Sequence, residues 1–84
     1  MKDELPIDLI VDLNTMDETG LPWAFIDRAR EKTLIRPGNT IIVGSGSIKA
    51  VATITDVTDG VVHVQPIRGS VAKNRHLLTI PLSA

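Results

Sequence analysis

The chain has no cysteine and no tyrosine, and a single tryptophan and a single phenylalanine are its only aromatics. Without cysteine there is no disulfide framework and no thiolate metal site, which is the composition expected of a protein kept in a reducing cytoplasm. With two aromatics, Trp23 and Phe25, the base-stacking platforms of single-strand nucleic-acid binders and the aromatic grooves of proline-peptide binders are both disfavoured. No apolar run approaches the roughly 20 residues of a membrane span, and no basic-then-apolar leader opens the chain. The expectation is a cytoplasmic protein with no membrane contact.

What is present fits one small domain. A chain of 84 residues is too short for two hydrophobic cores, so residues 1–84 are read as one domain. Its net charge of −1 hides a segregation. Residues 1–20 carry six acids against Lys2, a net of −5, while residues 21–84 carry eight bases against four acids, a net of +4. Beyond Gly60 there are Arg68, Lys73 and Arg75 and no acid. Either the acidic segment folds back over the basic part, or the basic part meets an anionic partner.

Periodicity supplies the architecture. Ile7, Leu9, Val11 and Leu13 alternate with Asp8, Ile10, Asp12 and Asn14, the period-two pattern of a half-buried strand. Gly20-Leu21-Pro22 offers a helix start, and Leu21, Pro22, Phe25, Ile26 and Ala29 share one helical face, so the spacing predicts a helix over 22–31. Short β-type runs follow from Thr40. Ser45-Gly46-Ser47 separates the first two, and Asp56-Val57 breaks the alternation of the second as a bulge would. Asp59-Gly60 carries the signature of a tight hairpin. Pro66 should close the next strand, residues 69–74 suit one helical or 3₁₀ turn, and Leu78, Ile80 and Leu82 alternate as a last strand.

The element order resembles that of SH3-like small β-barrels, in which a long insertion separates the first two strands and a 3₁₀ turn precedes the last. The expected fold is thus mostly β, an SH3-like small barrel or rolled antiparallel sheet, with one short helix inserted between strands 1 and 2. Val11-Asp12-Leu13-Asn14-Thr15 and Arg36-Pro37 also resemble the first strand and the entry to the second in PemK/MazF-type toxin ribonucleases, although the first strand here is acidic. The segment from Asp12 to Trp23 looks like that of uncharacterised small bacterial proteins, a likeness that implies no activity.

Few residues could carry chemistry. Asp12, Asn14, Asp17 and Glu18 gather oxygens but lack the spacing of a calcium loop, and read as a capped polar turn. Gly44-Ser45-Gly46-Ser47-Ile48-Lys49 lacks the Gly-Lys-Ser/Thr helix opening of a phosphate loop and reads as a hairpin. His63 and His76 have no zinc spacing, so no metal and no cofactor is expected. His76, beside Lys73 and Arg75, is the one side chain placed for acid–base work, which leaves a non-enzymatic role as the better reading.

Two binding readings follow. In the first, the chain is a small interaction module that binds a protein partner or a second copy of itself through the helix around Trp23, with Phe25 and Ile26, or through an exposed strand edge, since tryptophan is enriched at interface hot spots and so small a β fold leaves edges uncapped. The opposing possibility is that Trp23 only seals the helix onto the barrel. In the second, Arg36, Arg68, Lys73, Arg75 and His76 contact phosphates, and the toxin likeness implies RNA binding or ribonucleolysis.

Overall fold

The structure is a computed structural model that describes residues 6–14, 18 and 20–79. Five strands form one sheet: β1 (Leu9–Ile10), β2 (Trp23–Phe25), β3 (Thr40–Ser45), β4 (Ile48–Thr58) and β5 (Val61–Pro66). Their spatial order is β1-β3-β4-β5-β2, antiparallel throughout except for the parallel pair β1–β3. The sheet curls until its two edges nearly meet. Leu9 bridges Ala29, and the Arg30 amide donates to the Asp8 carbonyl at 2.8 Å, so the chain leaving β2 closes one end of a barrel against β1. The mostly-β, barrel-like expectation holds.

Alternation drives the curl. Leu9, Val11, Ala24, Ile41, Val43, Ala52, Ile54, Val62 and Val64 point inward with Ile35 and form the core. Each buried Val, Leu or Ile among them contributes about 1.5–3 kcal/mol relative to exposure. Both hairpins have two-residue turns. Asp59 and Gly60 both adopt positive φ (52° and 78°), as a type I′ reversal requires. At the β3–β4 turn Gly46 takes φ 62° at the first central position. The expected break in β4 is a bulge between Ile54 and Asp56.

The expected helix over 22–31 is not formed. Pro22 is buried, its carbonyl accepts from the Val64 amide, and Trp23, Ala24 and Phe25 pair with His63, Val62 and Val61. A 3₁₀ turn, Ile26–Arg28, follows. A ten-residue helix is marginal by itself, and the open edge of β5 offers Trp23, Ala24 and Phe25 a ladder. The short α-helix lies elsewhere: α1 (Val71–Asn74), continued by a 3₁₀ turn at Arg75–Leu77.

That C-terminal segment has a packing task. Ile42 and Val51 pair across β3 and β4 on the face away from the core, yet are 2% and 0% exposed. The Ile67 amide bonds the Val51 carbonyl, α1 packs on β4, and Thr40 and Thr79 exchange two hydrogen bonds of 2.8 Å. Residues 67–79 therefore run back along the outer face of the hairpin and cover it. Leu78 and Thr79 are not strand-paired, and the remainder of the expected last strand, 80–82, lies outside the described residues.

Candidate functional site

β2 places Trp23 and Phe25 on one side and Ala24 on the other, because successive strand residues face opposite ways. Ala24 enters the core. The two rings meet edge to face, with centroids 5.3 Å apart and planes at 87°, the favoured geometry for an aromatic pair. Phe25 remains 54% exposed, and Trp23 is half-buried. Across the unclosed part of the barrel, β1 contributes Ile10, 47% exposed. Together Ile10, Asp12, Trp23, Ala24, Phe25, Arg28 and Ser45 line one depression. It is the open seam between the edge strands β1 and β2, apolar at its centre with one acid and one base among its walls.

Of the partner-surface residues expected from sequence, the structure brings Trp23 and Phe25 together and separates Ile26, which packs against the core. Ile10 was missed. Its signal was available: it is the one apolar residue at an outward position of an otherwise alternating acidic strand. His63 stands opposite Trp23 in the ladder and lies 3.8 Å from the Asp56 carboxylate, so the outer surface continues from Trp23 into a polar row.

The basic set is distributed differently. Arg68, Lys73, Arg75 and His76 share the segment around α1, all exposed. Arg36 lies just before β3, its Nε donating to the Thr33 carbonyl, at the end where Thr40 meets Thr79. Ser70 and Val71 stand at the other end of β3, beside Gly46 and Ser47. The Asn14 amide donates to Asp12 Oδ1 at 3.0 Å, the turn geometry expected of that loop; Asp17 lies outside the described residues. Among the described residues no three His, Asp or Glu side chains gather as metal ligands, and no helix is long and apolar enough to cross a membrane.

No protein-family model, curated protein or solved structure matches this chain.

Proposed function

We propose that the protein is a small non-enzymatic interaction module whose binding surface is the barrel seam, taking a protein partner or a second copy of the chain on Trp23, Phe25 and Ile10. One observation carries the reading: the only two aromatics of the chain are spent on an edge strand at the surface, with Phe25 more than half exposed. A domain this small needs its large apolar side chains in the core, so placing both rings outside sacrifices stability. An apolar centre with a polar rim is the usual anatomy of a hot spot. The flanking edge strands also offer backbone groups to an extended segment.

The test combines sedimentation across a dilution series with selection of displayed peptides against the wild-type protein and Phe25→Asp. The reading expects self-association or peptide binding that Phe25→Asp abolishes while the amide spectrum stays folded. If neither occurs, or if binding persists in Phe25→Asp, the seam is not the binding surface.

A further inference from the structure

The backbone of β2 decides what kind of ligand can fill the seam. The Pro22 carbonyl accepts from the Val64 amide at 3.1 Å, and the Ile26 amide donates to the Gly60 carbonyl at 2.8 Å. These bonds set the phase of the β2–β5 ladder: residues 22, 24 and 26 turn their peptide groups towards β5. Trp23 and Phe25 must turn theirs the other way. β2 is the last strand in the sheet order, so among the described residues no strand meets them. We propose, building on the seam as the binding surface, that an extended peptide with basic residues flanking an apolar centre adds to this edge of β2 as a further strand.

Register dictates the apolar centre. Residues of the added strand opposite Trp23 and Phe25 carry side chains on the same face as the two rings. There they cover Phe25 and reach Ile10, the exposed apolar residues of the depression. The residue between them lies opposite Ala24 and points towards the core, so it must be small or apolar. At one end the added strand is stopped, because Ile26–Arg28 turns away and Ala29 bridges Leu9.

Charge dictates the flanks. Residues 1–31, which supply β1 and β2, hold eight of the ten acids against Lys2, Arg28 and Arg30, and Arg30 is already paired with Asp8. The other two acids, Asp56 and Asp59, belong to the turn end of the β4–β5 hairpin, on which β2 pairs. Asp56 lies 3.8 Å from His63, the residue opposite Trp23. Asp12 lines the depression itself, and Arg28, the one base of the lining, stands at the stopped end. A surface of this sign draws a cationic segment and repels an acidic one. It also disfavours pairing with the same edge of a second copy, where acid would face acid.

Random peptides selected by display on the wild-type protein test this, with the tightest synthesised unmodified and N-methylated at alternate residues in either phase. Expected are sequences with Lys or Arg on both sides of alternating apolar residues. On binding, hydrogen exchange of the Trp23 and Phe25 amides should slow, while that of Ala24, already bonded to β5, changes little. N-methylation in at least one phase should weaken binding by about tenfold or more. Each Lys or Arg of the peptide changed to Gln should weaken it about threefold. Peptides that Phe25→Asp abolishes, yet that tolerate methylation in both phases, leave the Trp23 and Phe25 amides unprotected or carry acidic flanks, overturn strand addition and leave the seam standing. Self-association with no peptide selected does the same. Peptide binding that persists in Phe25→Asp removes the seam and strand addition together.

Discussion

Asp8 joins three parts of the chain at one position. Its amide donates to the Ile42 carbonyl at 2.8 Å, and its Oδ2 accepts from the Ile42 amide at 3.0 Å. Its carbonyl accepts the Arg30 amide, and its Oδ1 the Arg30 guanidinium, both at 2.8 Å. The side chain thereby acts as a strand carbonyl towards β3 and closes the barrel end towards residue 30. Asp8→Ala removes the acceptor of the Ile42 amide and should cost about 1–3 kcal/mol in urea unfolding. Arg30→Ala should cost no more than about 1 kcal/mol, because that guanidinium is half exposed. An equal loss in both would show that charge pairing, and not the backbone acceptor, is what Asp8 contributes. The acidic face of the first strand was visible as alternation, yet this role was not. A carboxylate mimicking a backbone group depends on a partner 34 positions away, and local pattern carries no trace of it.

The two glycines of the β3–β4 turn separate strain from contact. Gly46 has φ 62° with nothing within 4 Å of its would-be Cβ, so Gly46→Ala should cost about 1–2 kcal/mol, the left-handed penalty alone. Gly44 combines φ 150° with a backbone clash, and Gly44→Ala should exceed that loss by at least about 1 kcal/mol. Thermal unfolding of the pair ranks them, and a milder Gly44→Ala would contradict the close approach to Ile48.

At the scale of elements, legibility followed the range of the forces involved. The Asp59-Gly60 hairpin, the break near Asp56 and the turn over 69–74 are dictated within a few residues, and all three are present. Residues 22–31 satisfied a helical period and a strand period at once: Pro22 and Ala24 inward and Trp23 and Phe25 outward is as consistent as the helical face. Pairing with β5 decided between them, and pairing is non-local. That choice also built the seam, so Ile10, visible in the sequence as an outward apolar residue, acquired its meaning only from the aromatic pair that the fold sets across from it. α1 is too short to hold itself together and rests on its cap and its anchor. Ser70→Ala should cost about 1 kcal/mol through the lost cap. Asn74→Ala should cost about 1–3 kcal/mol by stranding the Arg68 carbonyl. Both should raise the relaxation of the Ile42 and Val51 methyls of the covered face by a soluble nitroxide, and unchanged relaxation there would mean the segment is not what shields them.

For the whole molecule, the sheet is a barrel that stops short of closure. Its middle strand, β4, is paired along nearly its whole length, with β3 over Ile48 to Thr53 and with β5 from Ala52 to Thr58, whereas β1 and β2 are two and three residues long. Opening should therefore begin at the seam, where few ladder bonds must break. Closure at Leu9 and Ala29 leaves the other end of the seam lined by Ile10, Trp23 and Phe25, and the proposed binding role depends on those side chains meeting solvent. Solvent paramagnetic relaxation with a soluble nitroxide, read on the isoleucine and leucine methyls and the aromatic rings, measures that arrangement directly. The account predicts strong relaxation of the Ile10 methyls and the Phe25 ring, an intermediate effect at Trp23, and almost none at Leu9, Ile41 and Ile54. Ile10 and Phe25 as protected as Leu9 would contradict it, because the barrel would then have no aromatic seam to offer a partner.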